Sequence, residues 1–353
     1  MDGDGIDLKW SFAFDIQLAA WNRRRIMIVD THAHIIVPEI LRDAKPAEGW
    51  RPSVVWENGK QFVEYGPKRI GSALREFVSP EKILDEINKS GADAVLLCPW
   101  VSLVRYEAKP EESLDACQVQ NDALVSLVKK YPKQVKALGM VPLQDVELSI
   151  KELERMMKVG LKGVEIGTHV NGVYPGDARF RPFWEACESL GAFVFIHPVE
   201  GGGRAELRDY YMWNVIGNPL ETTVAAGHLI LSGMMDAYPS LKILLAHGGG
   251  ALTHLRGRLD RGFKQRPEIN KVISKPPTEY LKQFYFDTIT HDPLILRGLV
   301  DFVGADHVLL GSDYPFDMGN ENPVDLVRSA NLGAENEKKI LGGNASLLLN
   351  WEA

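Results

Sequence analysis

The sequence predicts an α/β protein, a distorted (β/α)8 TIM barrel with a small insertion after its first strand. Three observations support this fold: the chain length, a regular alternation of apolar runs with amphipathic stretches, and a pair of histidines in the first run. At 353 residues and 45% hydrophobic content, the chain has the size and the apolar surface of one large barrel. Residues two apart on a strand share a face, so His32 and His34 are expected to converge.

Short runs rich in aliphatic and aromatic residues are predicted to be the barrel strands. They alternate with stretches that carry apolar residues at helical spacing, such as 116–130 and 145–159. Strands that alternate with helices form parallel sheets, and a set of eight closes a barrel. The predicted strands are 28–34, 94–99, 135–141, 162–167, 193–197, 242–247, 284–288 and 307–312.

Residues 35–80 interrupt this alternation and are predicted to be an insertion over the barrel mouth. Within them, Asn58-Gly59 separates two runs of strand-forming residues, 54–56 and 61–63. Asn-Gly favours the tight turn of a β-hairpin, so a hairpin is expected here.

The first 26 residues do not fit the barrel pattern, and the barrel domain is predicted to span 27–353. This leader contains an apolar part followed by Arg23-Arg24-Arg25, whereas a secretory signal carries its positive charge first. Two interpretations remain open. The leader is either a short accessory segment or a misplaced start with Met27 as the true initiator.

Composition limits the partners and the compartment. The net charge is −7, from 40 basic and 47 acidic residues, without a long basic run, so nucleic acid is not an expected partner. No apolar stretch approaches the roughly 18 residues of a membrane span, so no membrane partner is expected. The three cysteines form neither a disulfide framework nor a zinc-ribbon spacing, which predicts a cytoplasmic protein.

Five polar residues stand at the C-terminal ends of predicted strands, where barrel enzymes place their active sites. A lone histidine there is more often structural, but five such residues at one end of one barrel predict a metal site. A catalytic zinc site uses about three protein ligands and a water. Imidazoles with a carboxylate suit Zn²⁺, with Mn²⁺, Fe²⁺ or Co²⁺ as alternatives. The five residues are His32, His34, His197, His247 and Asp313.

His247 is assigned to proton transfer. Gly248-Gly249-Gly250 follows it, which leaves room for a substrate beside the ring. An imidazole titrates near neutral pH and suits acid-base work, while metal ligation is the alternative role for His247. Asp30 shares the face of His32 and His34 but lies deeper, so it is expected to form structural hydrogen bonds.

Three further residues are candidates for substrate binding. His169 follows the fourth predicted strand and either touches the substrate or anchors its loop. Arg69, at the end of the insertion, and Arg258, on the helix after the sixth strand, carry guanidinium groups that suit carboxylates. A single arginine is more often a solvated surface group.

Several motifs occur in a characteristic order between about residue 27 and the C-terminus. They are Asp30-Thr31-His32-Ala33-His34, Val141-Pro142-Leu143-Gln144-Asp145, His197-Pro198, Leu229-Ile230-Leu231-Ser232-Gly233, His247-Gly248-Gly249-Gly250, Arg258, Leu310-Gly311-Ser312-Asp313-Tyr314-Pro315-Phe316 and Gly342-Gly343-Asn344-Ala345. In these motifs the chain resembles the amidohydrolase superfamily, and within it the amidohydrolase-2 branch of metal-dependent decarboxylases.

The resemblance implies roles for individual residues. Zinc would be held by His32, His34, His197 and Asp313 together with a water. His247 would work with that water in proton transfer, and Asp313 is counted with His247 as catalytic. Arg69 and Arg258 would bind substrate carboxylates, with Arg258 reaching into the neighbouring subunit's site, which implies a homodimer. The aromatic residues that would line the substrate pocket are Trp213 and Phe316.

The predicted activity is non-oxidative decarboxylation of a small unsaturated or aromatic carboxylic acid, of the aminocarboxymuconate-semialdehyde or hydroxybenzoate kind. Metal-dependent hydrolysis of a lactone or amide is the first alternative, because the same metal-activated water can act as a nucleophile. A nuclease or phosphoesterase is a second alternative, against which the acidic charge balance counts. The third is a binding protein whose metal serves only the fold.

Overall fold

The strands of the computed structural model match the predicted series and add a small sheet in the insertion. The structure describes residues 26–41, 53–65, 68–71, 78–199 and 203–351, so the predicted leader lies outside the described residues except for Ile26. In chain order the strands are β1 (Val29–Ile35), β2 (Ser53–Glu57), β3 (Lys60–Tyr65), β4 (Lys68–Gly71), β5 (Ala94–Pro99), β6 (Val135–Ala137), β7 (Gly163–Gly167), β8 (Phe193–His197), β9 (Lys242–Leu245), β10 (Phe284–Asp287) and β11 (Val308–Leu309).

The parallel strands form two sheets that meet at both edges. One sheet has the order β1-β5-β6, and the other has the order β11-β10-β9-β8-β7. Single bridges join the sheets, from Ala33 to Tyr314 on one side and from Gly139 to Val164 on the other. The strands therefore follow one another around a ring, as the predicted (β/α)8 barrel requires.

Helices connect the strands and cover the outside of the ring. The predicted helix 145–159 is confirmed as α4, which begins after Asp145 because that side chain accepts the Leu148 amide. Within the described ranges, no helix combines the length and the apolar character needed to cross a membrane. The helices are α1 (Pro38–Leu41), α2 (Pro80–Lys89), α3 (Pro110–Lys130), α4 (Val146–Lys158), α5 (Arg181–Leu190), α6 (Asn218–Leu231), α7 (Met234–Ala237), α8 (Leu252–Gln265), α9 (Pro267–Asn270), α10 (Pro277–Leu281), α11 (Pro293–Val303), α12 (Pro323–Ser329), α13 (Ala334–Lys338) and α14 (Asn344–Leu349).

Four predicted boundaries were wrong, one helix start and three strand ends. The helix expected at 116–130 begins earlier, at Pro110, because proline fits the first turn of a helix, where its missing amide proton costs nothing. Strands expected to reach 141, 247 and 312 end several residues sooner. At two of these ends the backbone leaves the extended conformation, since His247 has a φ of 57° and Asp313 a φ of 59°.

Alternation along each strand divides the apolar core into two layers. Successive side chains of a strand point to opposite faces, so one set packs under the helices and the other fills the barrel. On β8, for example, Val194 and Ile196 belong to the outer layer, whereas Phe193 and Phe195 belong to the inner one. The next inward position on β8 is its last residue, His197. The same alternation therefore carries polar strand-end residues to the barrel mouth.

The insertion contains the predicted hairpin and one additional strand. β2 pairs antiparallel with β3 across Asn58-Gly59, and both turn residues have positive φ, at 52° and 77°. Such angles are typical of the type I′ turn that Asn-Gly favours. β4 adds to the other edge of β3, with Arg69 opposite Glu64.

Candidate metal and catalytic site

Three histidines and one aspartate come together at the carboxyl end of the barrel. One possible ligand atom from each of the four residues lies within 4.8 Å of the others. Nε2 of His32 lies 3.0 Å from Nε2 of His34, and Oδ1 of Asp313 lies 3.2 and 3.3 Å from these two nitrogens. The structure thus gathers the four residues that the sequence predicts as metal ligands, which are His32, His34, His197 and Asp313.

The local backbone explains why these side chains meet. His32 and His34 lie on β1, and His197 ends β8 at the same level of the barrel. Asp313 follows β11, where its amide donates to the carbonyl of His32 at 2.7 Å. Its left-handed backbone turns the chain at this point, which directs the carboxylate to the two β1 imidazoles.

In each of the three imidazoles, Nδ1 faces a protein oxygen. Nδ1 of His32 lies 2.7 Å from Oδ2 of Asp287, and Nδ1 of His197 lies 2.9 Å from the carbonyl of Pro198. Nδ1 of His34 lies 3.5 Å from the carbonyl of Pro99, with Oε1 of Glu165 at 3.8 Å. An oxygen beside Nδ1 favours the tautomer whose lone pair is on Nε2, the usual arrangement around a metal.

Unpaired buried atoms show that this group fits a divalent metal. Nε2 of His197 and Oδ1 of Asp313 are buried and make no hydrogen bond. Buried polar atoms without partners are rare in native proteins, so these atoms need a further ligand. Imidazole nitrogens with one carboxylate oxygen form the donor set that Zn²⁺ and related divalent ions prefer.

Neighbouring groups keep His197 and Asp313 in the charge states that bind a cation. Burial, together with the neighbouring imidazoles, holds the pKa of His197 well below its ordinary value, so His197 is neutral. Although burial opposes the ionised form of Asp313, the charge of His32 and the hydrogen bond from His247 hold the pKa of Asp313 well below its usual range. A neutral imidazole and an ionised carboxylate are the forms in which these groups bind metal.

His247 stands beside the predicted metal ligands and is not one of the gathered set. Its Nε2 lies 3.3 Å from Oδ2 of Asp313, and its ring centroid lies 5.4 Å from that of His197. Nδ1 of His247 is buried and has no hydrogen-bond partner. This position, beside the four predicted ligands, suits the proton transfer predicted for His247.

A cavity of about 290 Å³ opens next to His247. The loops that follow β8, β9, β10 and β11 line it. Gly250 permits this arrangement, because a Cβ atom there would lie 2.0 Å from the carbonyl oxygen of Pro219. The predicted space beside His247 is therefore present. The lining residues include Asn214, Val215, His247, Gly248, His254, Thr290, His291, Ile295 and Met318.

Three buried carboxylates support the site from below. Asp30 has the predicted structural role, since it accepts hydrogen bonds from the amides of His32 and Ser312. Asp287, at the end of β10, was not among the predicted site residues. The signal for it was present in the sequence: an acidic residue directly after the apolar run Phe284–Phe286. Glu165 was also missed, and burial raises the pKa of its carboxyl well above the ordinary value.

The predicted pocket residues Phe316, Trp213 and His169 differ in what they contact. The ring of Phe316 packs edge-on against His34, with centroids 5.1 Å apart. Trp213 packs against Tyr211 at 5.0 Å, at the start of a short helical turn that follows β8. His169 accepts a hydrogen bond from the Gly172 amide at 3.1 Å, which corresponds to the loop-anchoring alternative.

The two predicted arginines lie on elements outside the ring of parallel strands. Arg69 lies on β4 within the insertion, and its side chain falls outside the described part of the structure. Arg258 lies on α8, exposed to solvent.

Comparison with known proteins identifies the family. A sequence model of the amidohydrolase family matches residues 29–351. The chain belongs to this family. A 2-amino-3-carboxymuconate-6-semialdehyde decarboxylase from Dictyostelium discoideum is 35% identical over 333 residues, which cover 91% of this chain and 91% of that protein. The family predicted from the sequence motifs is therefore confirmed.

Solved structures of two decarboxylases share the fold. The 5-carboxyvanillate decarboxylase from Sphingomonas paucimobilis superposes with a TM-score of 0.78 at 23% identity, over 92% of this chain and 99% of that chain. A dihydroxybenzoic acid decarboxylase from a Polaromonas species, solved with bound manganese and the inhibitor 2-nitroresorcinol, has a TM-score of 0.76 at 23% identity, over 92% of this chain and 97% of that chain. These likenesses confirm the predicted barrel fold.

Proposed function

We propose that this amidohydrolase is a metal-dependent decarboxylase of small unsaturated or aromatic carboxylic acids. The proposal rests on one observation: His247 lines a cavity of about 290 Å³ while its Nε2 lies 3.3 Å from the predicted ligand Asp313. Ligand cavities hold roughly 300 to 1,000 Å³, so this one suits a single-ring acid. The decarboxylase relative at 35% identity supports the same type of reaction.

The residues divide the chemistry between them. A bound divalent metal supplies a Lewis acid for a substrate oxygen. His247 transfers the proton on its Nε2 to the carbon that bears the carboxylate. The bond between that carbon and the carboxylate then breaks, CO₂ leaves, and the electron pair returns to the unsaturated system. His247 regains a proton from water, so one proton is consumed for each CO₂ released.

Zn²⁺ is the metal we propose, with Mn²⁺ as the first alternative. Three imidazoles and one carboxylate match the donor set of zinc sites. The manganese in the Polaromonas neighbour supports the alternative. Metal analysis of protein purified without added metal, followed by reconstitution with each ion, distinguishes the two.

The proposed assembly is a homodimer in which Arg258 serves the partner's site. Four large apolar side chains near the cavity are 47 to 73% exposed, and Val215 and Ile295 line the cavity itself. Exposed apolar groups of this kind mark interaction surfaces. Arg258 lies exposed on α8, which follows the cavity loop of His247. The four side chains are Val215, Ile216, Leu294 and Ile295.

Residues 27–353 form one catalytic barrel domain in this proposal, and the protein is placed in the cytoplasm. All three cysteines are free and buried, as suits a reducing compartment. Fractionation of the native host tests the location. Limited proteolysis near Met27, where the leader ends, tests whether the barrel domain remains folded without the leader.

The decisive experiment measures CO₂ release. Protein loaded with Zn²⁺ or Mn²⁺ is incubated with 2-amino-3-carboxymuconate-6-semialdehyde, with a dihydroxybenzoate and with 5-carboxyvanillate, and each product is identified. We expect at least one acid to lose CO₂ in a reaction that requires metal and His247. Hydrolysis of a lactone or amide without CO₂ release from any acid would instead establish the hydrolase alternative.

A further inference from the structure

Asp287 forms hydrogen bonds to two parts of the site, the predicted metal ligand His32 and the turn that carries His247. It ends β10 and is fully buried beneath the four predicted metal ligands. Its Oδ2 accepts hydrogen bonds from Nδ1 of His32 at 2.7 Å and from the amide of His247 at 2.8 Å. Its Oδ1 accepts from the amides of Gly248 at 2.7 Å and Ile289 at 3.0 Å. One carboxylate therefore contacts both a predicted metal ligand and the predicted proton donor.

The bond to His32 fixes the orientation of a metal ligand. A carboxylate can only accept, so Nδ1 of His32 keeps a proton and Nε2 is the nitrogen left to bind a metal. The other groups that bond to the Asp287 carboxylate are three backbone amides, which can only donate, so both of its oxygens act as acceptors.

The bonds to His247 and Gly248 hold a strained turn. His247 has a φ of 57°, a left-handed conformation that residues with a Cβ atom rarely adopt. Gly248 is also left-handed, with a φ of 61°. Both amides point at the Asp287 carboxylate, which stabilises successive left-handed residues that would otherwise relax. This turn places Nε2 of His247 beside Asp313.

We infer that Asp287 is a positioning residue that sets the metal-binding tautomer of His32 and the location of His247 at the same time. An asparagine at this position has the same shape but offers only one oxygen acceptor, and its amide group faces hydrogen-bond donors. Its one oxygen can replace Oδ2, which serves His32 and His247, or Oδ1, which serves Gly248 and Ile289, but it cannot replace both. The metal-binding half of the inference is independent of the reaction, whereas the catalytic half rests on the proposed function.

The test compares Asp287→Asn with Thr288→Val in the full-length protein. Thr288 is the buried neighbour of Asp287, and its hydroxyl bonds to Gly311 at 3.1 and 3.3 Å, so loss of the hydroxyl costs stability without removing a hydrogen bond from either histidine. Both variants are titrated with Mn²⁺, and their thermal stability is measured. The kcat per bound metal and the KM are then determined for each variant.

For Asp287→Asn we expect Mn²⁺ affinity to fall about 10- to 100-fold, the scale at which hydrogen-bond partners of metal ligands act. We expect kcat per bound metal to fall about tenfold or more, with KM nearly unchanged, because the proton donor is displaced. Thr288→Val should lose thermal stability but keep its Mn²⁺ affinity and its kcat. Equal Mn²⁺ affinity and kcat in both variants would overturn the inference.

A measurement on the unaltered protein covers the case in which Asp287→Asn does not fold. In Zn²⁺-loaded protein labelled with ¹⁵N-histidine, His32 should carry its one proton on Nδ1, visible as a slowly exchanging low-field signal. A His32 whose Nδ1 is unprotonated in this spectrum would refute the positioning role. The Mn²⁺ titration and this spectrum need no substrate, so an incorrect choice of reaction leaves them valid.

Discussion

His32 shows how its neighbours decide the protonation of a single side chain. Its Nδ1 lies 2.7 Å from Asp287 and its Nε2 lies 3.2 Å from Asp313. Burial alone would lower the pKa of His32, but the charge of Asp313 and the hydrogen bond to Asp287 raise it to about 10. In the absence of metal, His32 therefore carries an extra proton at neutral pH, and this proton sits where a metal would bind.

Metal binding should consequently release about one proton at neutral pH, because a ligand imidazole must be neutral at its coordinating nitrogen. Affinity should rise about tenfold for each pH unit up to about the His32 pKa, and fall correspondingly as the pH is lowered. Calorimetric titration with Mn²⁺ in two buffers of different ionisation enthalpy gives the number of protons. Metal binding without any proton release would show that His32 is already neutral.

His247→Ala should separate metal binding from turnover. Because His247 is not one of the gathered ligands, the variant should retain its metal, while kcat falls by about 10²-fold or more, the usual effect of losing a positioned acid or base. His307→Ala is a suitable control, since His307 bonds to the carbonyl of Phe284 away from the cavity. Turnover near the original level in His247→Ala would remove the proton-transfer role, and loss of metal would favour its role as a ligand.

The four predicted metal ligands are easier to predict from the sequence than the buried carboxylates Asp287 and Glu165 beside them. A His-X-His pair on a strand, together with polar residues at other strand ends, has few structural explanations. Asp287 and Glu165 each look like one acidic residue in or after an apolar run. Their importance appears only when β7 and β10 are placed beside β1, which is a property of the barrel and not of any local pattern.

At the scale of the elements, the loops after β8 and β11 are joined across the barrel mouth. The hydroxyl of Tyr211 donates to Oδ1 of Asp317 at 2.9 Å. Tyr211 also packs on Trp213, and Asp317 lies next to Phe316, which packs on His34. This contact therefore links the wall of the cavity to the loop that supplies Asp313.

Tyr211→Phe should loosen this wall without altering the chemistry. The hydroxyl bonds to a carboxylate at a partly exposed position, so its loss should cost about 1 kcal/mol of loop stability. We expect faster amide exchange within 203–217 and a KM raised about 2- to 10-fold, with a smaller effect on kcat. Tyr210→Phe is the matched control, because Tyr210 is the adjacent residue and is 92% exposed. The same KM in both variants would contradict a role for the Tyr211–Asp317 bond.

Element types were predictable, whereas their ends at the mouth were not. The strand cores are set by β-rich composition and by inward–outward alternation, and the hairpin is set by Asn58-Gly59. Left-handed residues at His247 and Asp313 shorten the expected strands, because tertiary hydrogen bonds stabilise a conformation that local propensity disfavours. The bridge between Tyr211 and Asp317 joins residues 106 positions apart and leaves no local signature.

At the scale of the whole molecule, the proposed dimer explains two surface features together. Val215 and Ile295 leave apolar surface exposed beside the cavity, and Arg258 lies outside its own site. In an isologous dimer, a residue exposed in one subunit can complete the pocket of the other. The sequence alone predicts this assembly only through resemblance, since charge and composition do not specify which surfaces meet.

Complementation between two inactive variants tests the shared site. Arg258→Ala should lose activity because its partner's pocket lacks the guanidinium group, and His247→Ala should lose its own proton donor. Co-expressed with different tags and purified as a heterodimer, the pair retains one complete site: His247 of one subunit with the partner's Arg258. We expect about half the activity of the unaltered dimer per heterodimer, because one of two equivalent sites is intact.

The outcome separates the structural alternatives. If Arg258 acts within its own subunit, each subunit of the heterodimer lacks one essential group, and the purified pair stays inactive. If Arg258 does not bind substrate, Arg258→Ala alone is active, as we expect of Arg261→Ala, a change at an exposed position on the same helix. Recovery confined to the heterodimer therefore requires both a dimer and an arginine that crosses its interface, because no arrangement within a single subunit reconstitutes the site.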